Sequence, residues 1–146
     1  MANRELADEL GLSLHTYGVR NMDETRSAFT RFDKDRIQVL ILWLTPLILL
    51  NQESIVKLVA SHNVPVIGET VEFGKAGALI TYSANYLEMW RHAAVWVDKI
   101  LKGVKPGDLP IERPTKYVLG VNVRTARDLG ITIPESILLQ ADEIIR

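Results

Sequence analysis

Six side chains able to hold a small molecule stand at the ends of apolar runs. Thr45 follows IQVLILWL, Glu69 and Thr70 follow VPVIG, and Tyr82, Ser83 and Asn85 close or follow ALITYS. If these runs are strands of a parallel α/β sheet, their carboxyl ends share one edge, the edge at which such sheets bind ligands. Tyr17, in the run LSLHTYGV, belongs to the same set of strand-end positions. Hydroxyls, a carboxylate, a phenol and an amide could together fix a small polar solute by hydrogen bonds. Turn capping or surface solvation accounts for each of them equally well.

The patterns of bond-making chemistry are missing. FGKAGAL has glycines and a lysine, but not the spacing or the Ser/Thr of a phosphate-cradling loop. No G-x-G-x-x-G follows the first strand, as a dinucleotide site would need. His15, His62 and His92 lie in different elements, without the i, i+4 spacing of a helical metal pair. No serine sits in a G-x-S-x-G elbow. Glu69 and Glu72, three apart at a loop, read as solvated carboxylates rather than an acid–base pair. The second strand ends LWLTP, without the aspartate of a phosphoacceptor domain. No catalytic residue, metal or cofactor is therefore assigned.

These groups depend on elements read from periodicity. Residues 3–11 form a helix ended by Gly11, and LSLHTYGV (12–19) a short strand. Asn21 followed by Glu24 is a capping-box pattern opening a helix to about Phe32. IQVLILWL (37–44) barely alternates, as a central strand covered on both faces would, and Pro46 prevents its continuation. A helix over 51–61, a strand over 64–69, a helical turn and a strand over 78–83 follow. The alternation predicts a parallel α/β sheet with helices on both faces.

The helix Asn85–Lys102 has two apolar stripes: Leu87, Trp90, Ala94, Val97 and Leu101, and Tyr86, Met89, Ala93, Trp96 and Ile100. That arc is wider than the ~100° a one-sided helix needs, so the helix should pack on the sheet and on a second element. Left bare, such a patch marks an interface. Prolines at 106, 110 and 114 stiffen the connector after it. TKYVLGVNV (115–123) then reads as a strand, Asn122 as the cap of VRTARDL, and PESILLQADEII as a final helix with Pro134 in its first turn.

The chain has 146 residues, 47% of them hydrophobic and 24% charged, with a net charge of −1 and no cysteine. Scattered basic residues give no nucleic-acid footprint, and disulfides and thiolate sites are excluded. The most apolar stretch, Ile37–Leu50, is shorter than the ~20 residues that cross a bilayer and contains a proline. MANRELADELGLSL lacks the apolar core of a secretory signal, so the sequence as written is expected in the cytoplasm.

One long pattern remains. Gly77, Tyr82, Ala93, Ala94, the run Val97–Gly103, Lys105, Pro106, Asp108–Pro110, Glu112 and Pro114–Lys116 are followed by Asn122, Thr125, Ala126, Leu129, Gly130, Ile133, Pro134, Leu138, Ala141, Asp142 and Ile145. In order and spacing these residues resemble the C-terminal part of a family of ABC-transporter substrate-binding proteins. The resemblance implies a periplasmic-binding-protein-like type I fold, in which two α/β lobes joined by crossing strands hold a small solute. Some members look like receptors for aromatic amino acids. Residues 1–83 would correspond to a second-lobe-like α/β unit. Residues 84–146 would be a crossover, a helix, the proline-rich connector and C-terminal first-lobe-like elements.

The implied function is solute binding for an importer, without enzymatic activity, with an ABC permease as partner. A full-length precursor would work at the periplasmic or extracellular side of the membrane. Family members have roughly twice this length. After the second strand they tend to offer aspartate, serine or asparagine where TPLILL offers only Thr45, and often glycine at the position of Ser83. The alternative reading is a stand-alone α/β interaction module that homodimerises through Tyr86, Met89, Trp96 and Ile100, with no transport role.

Overall fold

The computed structural model describes residues 2–146. Helix α1 (Ala2–Glu9) ends at Gly11, whose φ of +68° is the left-handed turn that glycine adopts without a Cβ penalty. Residues 12–19 then run on, but not as the strand that their alternation predicts. A strand exists by pairing, and among the described residues positions 13–19 make no backbone–backbone hydrogen bond. Tyr17 holds this segment down. Its ring packs 5.6 Å from that of Phe32, and its hydroxyl donates to Asp35 Oδ2 at 2.7 Å.

Asn21 caps α2 (Met22–Phe29) as the capping-box pattern requires. Its Oδ1 accepts from the Glu24 amide at 2.8 Å, and Glu24 Oε2 accepts in return from the Arg20 amide at 2.9 Å. The helix expected to reach Phe32 stops at Phe29. A single turn, α3 (Phe32–Asp35), follows and closes on Arg36 in the left-handed region.

The apolar run 37–44 contributes only Leu40–Leu42 as strand β1. Thr45 and Pro46 turn the chain into α4 (Pro46–Leu50), and α5 (Gln52–Ala60) follows. Strand β2 (Val66–Gly68), α6 (Val71–Ala76) and β3 (Ile80–Ala84) come next. The long helix α7 (Tyr86–Leu101) leads through a 3-10 turn at Pro106–Asp108 to β4 (Tyr117–Asn122). Helix α8 (Val123–Asp128) ends at Gly130. The predicted final helix is one turn, α9 (Glu135–Leu138), and then strand β5 (Glu143–Ile145). The switch reflects pairing again, because β5 finds an open edge on β4.

The five strands lie in sequence order in one sheet. The α/β class is as expected, but the sheet is mixed. β1/β2, β2/β3 and β4/β5 are parallel, whereas β3 and β4 are antiparallel over five residue pairs, from Ile80↔Val121 to Ala84↔Tyr117. β4 and β5 extend the sheet of β1–β3, while the long segment from Asn85 to Lys116 leaves it. The Asn85 amide donates to Lys116 O at 2.9 Å across the base of that excursion.

The core lies between the sheet and its helices. Leu42 and Val66 from the strands meet Ile55, Val56, Val59 and Phe73 from α5 and α6, with Phe29 and Phe32 beside them. Helix α6 sits close on β2–β5 because small residues face each other there. A Cβ on Gly74 would lie 2.6 Å from Ile145 Cδ1, and one on Gly120 would meet Thr81 Oγ1. Asn122, 1% exposed, links three elements. Its Nδ2 donates to Gly74 O at 2.9 Å, and its Oδ1 accepts the Thr125 amide at 2.9 Å as the cap of α8.

Two outcomes follow from this packing. Asn122→Ala strands a buried carbonyl and a helix-terminal amide, so urea unfolding should show a loss of ~2–4 kcal/mol. Burial, the bond to Asp35 and the Asp35 charge raise the Tyr17 phenol from 10.0 to about 12. The unfolded chain therefore loses this proton first, and stability falls as pH rises from 10 towards 12. Tyr17→Phe should be ~1 kcal/mol less stable near neutral pH, and that deficit should shrink across the alkaline window.

Candidate functional site

β1, β2 and β3 run parallel, so their carboxyl ends bring Thr45, Glu69, Thr70, Tyr82, Ser83 and Asn85 to one edge of the sheet. Antiparallel β4 begins at that same edge, which adds Tyr117. The six predicted residues are thus on one edge, but they are not equally free.

Two are engaged in helix capping. Thr45 Oγ1 accepts from the Ile48 amide at 3.3 Å, with Pro46 preset for the first turn of α4. Asn85 Oδ1 accepts from the Glu88 amide at 3.1 Å and opens α7. Glu69 spans two strands: its Oε2 accepts from the Leu44 amide at 3.0 Å, tying the exit of β2 to the exit of β1. Thr70 stands at the cap position of α6 yet makes no capping bond, and its buried Oγ1 has no partner.

Tyr82 is 56% exposed and lies flat against Tyr117, with ring centroids 5.3 Å apart and planes within 6°. The pairing Tyr82↔Leu119 makes this a diagonal contact between neighbouring strands. Ser83 is half-buried and points to the opposite face, because side chains alternate along a strand. Tyr17 is withdrawn from the strand-end set by its bond to Asp35.

Two residues escaped the sequence reading. Tyr117 reaches the site only because β3 and β4 pair antiparallel, a relation that the strand–helix alternation argued against. Trp43 is 59% exposed at the exit of β1, one residue before the Leu44 amide held by Glu69. Its signal was a tryptophan at the end of a run predicted as a covered strand.

Around the base of α7 lies a charged rim. Lys116 Nζ approaches Glu88 Oε1 at 3.2 Å and Arg91 approaches Glu88 Oε2 at 3.6 Å. The hydrogen bond and charge of Lys116 hold the Glu88 carboxyl below its usual range. His92 and Glu112 are 2.9 Å apart further along the helix.

Helix α7 itself has no buried residue, against the expectation that it packs on the sheet. Trp90 is 73% exposed, and Leu87, Val97 and Leu101 on the same stripe are exposed as well. The chain crosses out on β3 and back on β4, and this carries the helix away from the core. Among the described residues no three His, Cys, Asp or Glu side chains gather to hold a metal ion. No helix there is long and apolar enough to cross a membrane. A surface depression of about 420 Å³ lies among α5, α6 and α8, lined by Gln52, Glu72, Lys75 and Arg124 among others, and includes none of the strand-end residues. The strand-end groups are donors, acceptors and aromatic faces, suited to holding a molecule.

The chain belongs to the family of ABC transporter substrate binding proteins, whose family model matches residues 2–145. Solved structures agree on the fold. A conserved domain protein from Vibrio cholerae O1 biovar El Tor N16961 is similar with a TM-score of 0.86 at 24% identity, over 98% of this chain and 49% of that one. An ABC domain from Streptococcus pneumonia, solved in complex with L-Trp, gives 0.84 at 24% identity, over 97% and 49%. A substrate binding protein with adhesive properties from Clostridium difficile, in its ligand-free, open structure, gives 0.68 at 20%, over 99% and 48%. The chain therefore spans about half the length of the solved structures it matches. Curated proteins supply no match.

Loss of the Glu69 bridge should loosen the exits of β1 and β2. In Glu69→Ala, hydrogen exchange at the Leu44 amide should accelerate at least tenfold, while the amide of Val121 in β4 keeps its protection.

Proposed function

We propose that this chain is the second-lobe half of a non-enzymatic solute receptor of an ABC importer. Its strand-end edge forms one wall of the solute cleft. The observation that carries this reading is α7, an apolar helix lifted clear of its own sheet between the two antiparallel strands β3 and β4. A helix with exposed tryptophan, leucine and valine on it needs a second body, and matched structures are twice as long as this chain. In this reading the second body is a first lobe, and β3 and β4 are the crossing strands on which the lobes close over a solute.

Glu69, Thr70, Tyr82 and Ser83 supply the second-lobe contacts, and Tyr117 and Trp43 add aromatic faces. Thr45 and Asn85 position α4 and α7 and contribute through the groups that capping leaves free. An amino acid is the solute class to try first: a carboxylate would take its ammonium group, and stacked phenols suit a flat side chain. L-Trp in the pneumococcal neighbour makes aromatic amino acids the first members of the panel. A receptor of this kind works outside the cytoplasmic membrane and presents its solute to a permease.

The test is thermal unfolding and light scattering of the purified chain against a panel of amino acids. A bound solute should raise the melting temperature, by ~2.7 kcal/mol of stabilisation at a hundredfold excess over Kd. Tyr82→Ala and Glu69→Ala should each weaken that response ~10–100-fold. A chain indifferent to every solute contradicts the reading. A tight dimer dissociated by Met89→Glu with Ile100→Glu would favour the interaction module instead.

A further inference from the structure

We propose that the arginines of α8 and of the end of β5 form a binding site for a phosphate group, on different residues from the solute edge and independent of the reading above. Arg124, Arg127 and Arg146 line a depression of about 270 Å³ together with Val123, and no acidic side chain is among its lining residues. Arg124 also lines the neighbouring depression of about 420 Å³, where Lys57 and Lys75 add two cations and Glu53 and Glu72 two carboxylates. Lys57 is paired with Glu53 at 3.8 Å. The surplus of positive charge is therefore local, on a chain whose net charge is −1.

The fold brings these cations together from three elements. Arg124 and Arg127 are three apart on α8, so they share one face of it. β5 runs parallel to β4 with Ile145 beside Asn122, which sets Arg146 next to the first turn of α8. Two bonds fix that helix on α6: Asn122 Nδ2 donates to Gly74 O, and the Thr125 hydroxyl donates to Gly77 O at 3.0 Å. Lys75 lies between those two carbonyls along the chain. Because β4 is antiparallel to β3, this end of β4 is at the edge opposite Ser83 and Tyr117.

Other surface charges on this chain have partners: Arg26 on Asp23, Arg31 on Asp35, Arg91 on Glu88 and Lys102 on Asp98. Among the described residues no ion pair uses Lys75, Arg124, Arg127 or Arg146. Guanidinium groups gathered around one hollow repel one another. An oxyanion removes that repulsion and takes paired N–H bonds from their planar forks. A phosphate group, with up to two charges and three acceptor oxygens, can serve all three arginines, whereas a single carboxylate cannot. All three are exposed, so the phosphate can belong to a dissolved molecule or to a lipid headgroup.

Two probes test the site and separate its sources. One is inorganic pyrophosphate, followed by residue-resolved amide NMR shifts at low salt. The other is vesicles containing phosphatidylglycerol, followed by co-sedimentation against pure phosphatidylcholine. Pyrophosphate should move the amides of Lys75, Arg124, Arg127 and Arg146 saturably and leave those of Thr70, Ser83 and Tyr117 in place. Arg124→Gln with Arg127→Gln should weaken binding at least tenfold. Lys99→Gln with Arg113→Gln removes the same charge elsewhere and should leave binding intact. A urea midpoint no lower than that of the unmodified chain verifies that both variants fold. Pyrophosphate binding without vesicle binding assigns a dissolved phosphate; vesicle capture that the Arg124→Gln, Arg127→Gln variant loses assigns a headgroup, and either supports the site. Binding of neither probe overturns it. Shifts confined to the solute edge overturn it too, as does equal weakening by both double variants, since the effect is then one of net charge.

Discussion

The antiparallel pairing of β3 with β4 is the contact on which the rest of this molecule depends. Five residue pairs join two strands that are separated in sequence by α7 and its proline-rich connector. That ladder fastens β4 and β5 onto the parallel strands β1–β3. It also brings Asn122 under α6 and lets the long apolar helix leave the sheet without breaking it. A pairing this far apart in sequence carries a large closure cost. Buried complementarity offsets it: Gly120 against Thr81, and the Asn122 amide on Gly74 O.

The same ladder explains why the chain has two kinds of surface. Around α5 and α6 the core is closed by aliphatic and phenylalanine side chains. On α7 and along the outer face of β1 equally apolar side chains stay in water. Both surfaces have the composition of interiors, and each lies where the fold presents unused packing or bonding capacity. The solved structures that share this fold are about twice as long as this chain.

The strand-end polar groups proposed for recognition sit at the seam between these surfaces. Thr45, Asn85 and Asn122 show how thoroughly polar residues at strand ends are used for helix capping. The remaining groups differ in kind: a carboxylate bridging two strands, a buried hydroxyl with no partner, and two stacked tyrosines. They sit where β3 leaves the sheet for α7 and β4 returns to it.

Local chemistry was legible in the sequence. The Asn21 and Asn122 caps, the turns at Gly11 and Gly130, the helices Gln52–Ala60 and Tyr86–Leu101 and the family pattern all depend on residues a few positions apart. So does the placing of six polar residues at strand ends. What stayed hidden was set by partners. Segment 12–19 has the alternation of a strand but no neighbour to bond, and the last residues have the periodicity of a helix but an open edge on β4. α7 has the stripes of a buried helix and nothing in this chain to bury them. Tyr117 entered the site through an antiparallel register that no short-range pattern encodes. Sequence fixes the preferences of each segment; only the tertiary structure decides which find a surface or an edge, because burial and strand pairing are properties of two segments at once.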